Sequence, residues 1–236
     1  MNHESSATGA TGPGPGIRDV LLLGVAPPSD AASTLAEEDV DDLGFVTNVT
    51  KVWMHDPAAS DELFSLLTTT AEAAGLSTVD RGVATVVAAN LIGDSYCPLA
   101  YARKLAEVAS PEFAASLLRG SDELLDERGR AIAAWARIIA QSPRSATAAD
   151  LEALLRVGFD RAQILRLTLF ITLRIAFATL NGALGARPEA AYVDLLDPIV
   201  REAWKVASGT PDLQLQGASA SDRPDQERDG ANGDPG

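Results

Sequence analysis

The residues best placed for chemistry lie in one short stretch, Asn90-Leu91-Ile92-Gly93-Asp94-Ser95-Tyr96-Cys97-Pro98-Leu99-Ala100-Tyr101. Gly93-Asp94-Ser95 reads as the stop of one helix and the cap of the next, and Pro98 suits a first helical turn, where its missing N–H costs little. That places the Cys97 thiol among the unpaired N–H groups of a helix start, a setting that favours the thiolate. Tyr101 follows four residues later on the same face. Asp94 acts in the opposite sense, because a carboxylate beside a thiol raises its pKa. Burial decides between these effects, and Cys97 is expected to be a sluggish nucleophile. Plainer readings stand beside the chemical ones. A lone cysteine among Ala and Leu is a small buried hydrophobe, Tyr101 a core residue with a bonded hydroxyl, and Asp94 a helix cap.

Other reactive groups are scarce. Cys97 is the only cysteine, and His3 and His55 are the only histidines. An internal disulfide and a thiolate-rich zinc site are thereby excluded. A histidine metal centre or a Ser/His/Asp triad would rest on His55 alone, beside the turn Asp56-Pro57, so neither metal nor cofactor is expected. The formal net charge of −14 repels phosphate backbones and anionic lipid surfaces, so neither nucleic acid nor a membrane is an expected partner. No signal-like pattern opens the chain, and a cytoplasmic location is expected.

The elements that must position these residues read as helices. The apolar share is 46% while aromatics are only 5%, and Ala, Leu and Val dominate, which favours close-packed helices. Residues 1–16 and 208–236, rich in Gly, Pro, Ser and Asp, are expected to be disordered tails around one folded domain, 17–207. Helix starts are expected near Ser33, at Asp56-Pro57, at Ser77 with Asp80 as a capping box, at Tyr96, at Ser110-Pro111, at Ser121-Asp122 and at Thr147. The second of these would carry Leu63, Phe64, Leu66 and Leu67 on one side. The Val-rich stretch after Ser77 has some strand character but is long for a strand. The most apolar helix, about Asp160 to Leu184, is interrupted by Arg166 and Arg174 and belongs in a core or an oligomer interface rather than a bilayer. Those two arginines either pair with acids across a subunit boundary or reach solvent by snorkelling. Trp53, Trp135 and Trp204 are expected to be packing residues.

The cysteine stretch resembles the alkylhydroperoxidase-like and carboxymuconolactone decarboxylase family. Its thiol members carry Cys-x-x-Cys, often Cys-x-Tyr-Cys, a His four residues after the second Cys, and a Glu about twelve before the first. Tyr96-Cys97 falls on the Tyr-Cys of that pattern. Gly44-Phe45-Val46-Thr47-Asn48 is similar to the family's Gly-x-x-Pro-Asn, with Thr47 in the proline place, and Val157-Gly158-Phe159-Asp160 with Asn181-Gly182-Ala183-Leu184-Gly185 resembles its closing section. The resemblance covers about residues 40–207 and implies an all-α, alkylhydroperoxidase-like bundle that forms homo-oligomers. On the same alignment Asp94 stands at the first cysteine, Tyr101 at the histidine and Gly82 near the glutamate. One cysteine cannot close a dithiol cycle without an external thiol reductant or a neighbouring subunit, and a tyrosine is a far weaker base at neutral pH than imidazole.

Three readings of function follow from this. In the leading one, a thiol-dependent peroxidase acts through Cys97 alone, with Tyr101 and Asp94 as the remaining site residues and an external thiol as reductant. The alternatives are a non-redox, decarboxylase-type or small-molecule-binding protein using the same pocket, and a non-catalytic oligomeric relative.

Overall fold

The computed structural model describes residues 21–209, and the tails expected at 1–16 and 208–236 lie outside them except for Ser208 and Gly209. The described residues form eleven α-helices and one 3-10 turn, Pro143–Ser145, without an extended strand.

Local chemistry sets most of the boundaries. Thr47 caps α2 (Asn48–Trp53) and Asp56 caps α3 (Pro57–Ala73), which has Pro57 in its first turn. The Ser77 hydroxyl accepts from the Asp80 N–H at 3.1 Å, and the Asp80 carboxylate accepts from the Ser77 N–H at 3.0 Å. This reciprocal pair opens α4 (Thr78–Leu91). The chain continues through α5 (Tyr96–Val108), α6 (Pro111–Leu118), α7 (Glu127–Gln141), α8 (Ala148–Arg156), α9 (Arg161–Ala183), α10 (Ala190–Asp194) and α11 (Pro198–Ala207).

Two expected starts are corrected. The first helix, α1 (Asp30–Leu43), begins before Ser33, because the Ser29 hydroxyl accepts from the Ala32 N–H at 3.1 Å and supplies the cap. The helix expected at Ser121-Asp122 begins at Glu127 under Asp126. Asp122 instead holds the guanidinium of Arg137 at 2.6 and 2.8 Å, which folds the 121–126 turn back along α7. On α3, Leu67 is buried as expected, but Phe64 and Leu66 are 43% and 41% exposed.

The centre of the bundle is α4, packed by α5, α6, α7 and α9, with every residue from Gly82 to Ala89 buried. A helix covered on all sides needs no polar face, which removes the helical period from its sequence and explains its strand-like appearance. Gly82 permits the close approach of α5: a Cβ there would stand 2.6 Å from Leu105, itself 1% exposed. Gly82→Ala should therefore cost about 1 kcal/mol in urea unfolding, overpacking of about 2 kcal/mol being partly offset by about 1 kcal/mol of helix propensity. An unchanged midpoint would show that α5 yields at this contact.

The long apolar α9 is the one helix among the described residues with the length and composition to cross a membrane. It packs along α3, α4 and α7 with Ile164, Leu167, Phe170, Ile171 and Phe177, and leaves Leu165 68% exposed. Its arginines differ. Arg166 is in solvent, whereas Arg174 is 7% exposed and points inward.

Candidate functional site

The turn between α4 and α5 delivers the thiol. Gly93, at φ +74°, ends α4, and the next N–H, of Asp94, donates back to the Ala89 carbonyl at 3.0 Å. Asp94 then spends both carboxylate oxygens on α5, accepting from the N–H groups of Tyr96 and Cys97 at 3.0 Å each. Ser95 offers no side-chain cap, but its carbonyl accepts from the Trp204 indole at 2.8 Å, so α11 pins the turn. Cys97 thus stands in the first turn of a helix, where the sequence placed it. It is 3% exposed and packs with Val52, Trp53, Ala89 and Phe177.

Burial decides the state of the thiol. Desolvation pushes Cys97 up to about 12; the nearby Arg174 guanidinium acts the other way, and Asp94 adds to the rise. A helix start and a cation together do not compensate for the lost solvent. The group is a neutral thiol at physiological pH.

Beside it lies an open cleft of about 440 Å³, lined among others by Tyr96, Cys97, Tyr101, Arg174, Phe177 and Tyr192. Cys97 and Tyr101 therefore share a cavity, as the helical spacing implied. Asp94 is behind the thiol rather than on the cleft wall, and Gly82 abuts Leu105 outside the lining. Two tyrosine hydroxyls of the cleft are shifted the same way. Burial pushes Tyr192 up to about 12, and burial with the adjacent Glu189 carboxylate raises Tyr96 well above the ordinary tyrosine value.

The residue that most changes the site comes from 73 positions beyond Tyr101 in sequence. Arg174 lies over the Tyr101 ring at 4.8 Å from its centroid and over Phe177 at 5.1 Å. Phe177 in turn stacks on Trp53 at 5.5 Å and meets Phe64 edge-on at 5.4 Å. No carboxylate among the described residues pairs with Arg174, and its buried Nε has no hydrogen-bond partner. Escape to solvent, one of the two sequence expectations for it, gives way to a cation inside the cleft. Ring contacts return about 1–2 kcal/mol, against a desolvation cost of several kcal/mol for a buried ion. The Cys97 sulfur is a further partner of the arginine, and the Nε remains without one.

Glu189, at the start of α10, is the second residue that the sequence reading passed over. It is 3% exposed, and its carboxylate accepts from the Tyr96 hydroxyl at 3.0 Å and from the Asn48 N–H. Desolvation raises its pKa, and the hydrogen bonds only partly oppose this. It ties α2 and α5 to α10 and holds Tyr96 in place. Neither residue had a local signal. Arg174 stood out only as a charge in an apolar helix, and Glu189 not at all. The three tryptophans are packing residues as expected, each with its indole N–H bonded: Trp53 to Asn181, Trp135 to Thr168 and Trp204 to the Ser95 carbonyl.

No family model matches the chain, and no curated protein matches it. Solved structures do. A peroxidase-related protein from Silicibacter sp. TM1040 is similar at a TM-score of 0.62 and 21% identity, over 77% of this chain and 97% of its own. A peroxidase-related alkylhydroperoxidase core protein from Ralstonia eutropha JMP134 gives 0.60 and 20%, over 70% and 88%. A debrominase in complex with 2,3,4-tribromopyrrole gives 0.59 and 16%, over 74% and 96%. The chain has the alkylhydroperoxidase-like, all-α fold.

Proposed function

We propose that this alkylhydroperoxidase-like chain is a small-molecule-binding protein whose cleft no longer supports thiol cycling. The observation behind this is the state of Cys97: a buried, neutral thiol with no second cysteine in the chain, beside an open cleft in which no imidazole is among the lining residues. A dithiol relay needs an attacking thiolate, a resolving thiol and a base near neutrality, and each of the three is missing here. What remains is a cavity of ligand size with aromatic and apolar walls, hydroxyls and one buried cation, with the more exposed charged side chains Asp39, Asp42, Arg103, Lys104 and Glu107 completing the lining.

A second reading has one observation in its favour. Arg174 and the helix start both act to stabilise the Cys97 thiolate, as single-cysteine peroxidation requires. In that reaction the thiolate sulfur attacks a hydroperoxide oxygen and the O–O bond breaks. An alkoxide leaves, to take up a proton, and Cys97 becomes a sulfenic acid. Two external thiol molecules then reduce it, giving their disulfide and water. The two readings separate in peroxide consumption with dithiothreitol as donor. The binding reading expects wild type and Cys97→Ser to run at the same background rate. A wild-type rate about tenfold or more above Cys97→Ser would replace it with single-cysteine peroxidation.

A further inference from the structure

Apart from Lys104, the charged side chains that line the cleft together with Arg174 are already committed. Arg103 meets Asp42 at 3.2 Å and Glu107 at 3.5 Å, and Asp39 accepts from the Thr47 N–H at 2.8 Å. Deeper in, Arg174 is nine-tenths buried, has no carboxylate partner, keeps an unsatisfied Nε and lines the cavity. A buried cation of this kind is stable in the free protein only at a cost, and an anion entering the cleft removes that cost.

We propose that Arg174 anchors an organic monoanion, a carboxylate carried on a flat ring. The claim rests on the binding reading above and names its ligand class. A single guanidinium fork matches one carboxylate. A dianionic phosphate calls for further cations at depth, and the other two cations of the lining, Arg103 and Lys104, are partly or largely exposed. The rings of Tyr101, Phe177 and Tyr192 are among the walls of the cavity, whose 440 Å³ accommodates a one-ring molecule. Arg174 acts on the Cys97 thiol and both line the cleft, so a carboxylate held on Arg174 shields the thiol.

Calorimetry with benzoate, its neutral isostere benzamide and inorganic phosphate tests this on wild type and Arg174→Leu. Benzoate is expected to bind wild type about tenfold or more tighter than either comparison compound, and Arg174→Leu is expected to lose that advantage while remaining folded by circular dichroism. Benzoate is also expected to slow iodoacetamide labelling of Cys97. Benzoate binding no tighter than benzamide, phosphate binding tighter than benzoate, or equal benzoate affinity in Arg174→Leu would each overturn the proposal. The wild-type comparison of benzoate with benzamide decides by itself should the variant not fold. The two claims fail separately: loss of benzoate selectivity with peroxide turnover still at background removes only the anchor, whereas Cys97-dependent peroxide turnover removes the binding reading whatever benzoate does.

Discussion

Iodoacetamide is expected to alkylate native Cys97 at least about 30-fold more slowly near neutral pH than it alkylates the same cysteine in the unfolded chain. The thiol stands at about 12 against an ordinary 9.0, so about 1,000-fold less thiolate is present. A more basic thiolate is intrinsically more reactive, which gives back about 15–30-fold at a Brønsted slope of about 0.4–0.5. Residual exposure of 3% slows access further. Rates measured with and without guanidinium provide the check, and a native rate equal to or above the unfolded one would contradict it. The same shift has a stability consequence with a definite sign. A group whose pKa is higher folded than unfolded contributes its full stability below the unfolded value, here 9.0, and loses it as pH rises towards 12. Wild type should therefore weaken above pH 9.0 in a way that Cys97→Ser does not.

Glu189→Ala is expected to destabilise the fold by about 4 kcal/mol in urea unfolding. The substitution strands two buried donors, the Tyr96 hydroxyl and the Asn48 N–H, at about 1–3 kcal/mol each. Relief of the carboxylate's desolvation offsets part of that loss but does not replace either acceptor. The conservative variant separates charge from hydrogen bonding. Because burial raises the Glu189 pKa above its ordinary 4.5, the carboxyl contributes most below that value and progressively less as pH rises through the folded one. The advantage of wild type over Glu189→Gln should accordingly be widest in acid and narrow towards neutrality. An advantage that grows with pH would mean that the hydrogen bonds outweigh burial.

What the sequence made legible was local. Ser77 with Asp80, Asp56 ahead of Pro57, and Gly93-Asp94 between two helices announce themselves through side chains that bond to backbone groups within a few residues. The same locality put Cys97 and Tyr101 on one face of α5, where they share the cleft. Locality also misled. Ser33 with Glu37 and Glu38 is a reasonable helix start, yet Ser29 supplies the cap; Asp122 is a reasonable cap, yet it is taken by Arg137. The resemblance placed a glutamate position near Gly82, where the Leu105 side chain of α5 stands 2.6 Å from where a Cβ would be.

The rest of the site could not be read this way because it is assembled from distant elements. Arg174, Tyr192 and Glu189 reach the cleft or its wall from α9 and α10, and no spacing along the chain connects them to Cys97. The stretch from Asn90 to Tyr101 carries no basic group of its own. Packing of α9 supplies one, and with it the balance of the site moves from sulfur chemistry towards recognition of an anion.

The central claim is that Cys97 is held as a neutral thiol, so its ionisation is the most direct thing to measure. A titration of the ultraviolet thiolate band, taken as the difference between wild type and Cys97→Ser, should stay flat through neutrality and rise only as pH approaches about 12. A thiolate already formed near pH 7 would contradict the account and return the site to peroxide chemistry.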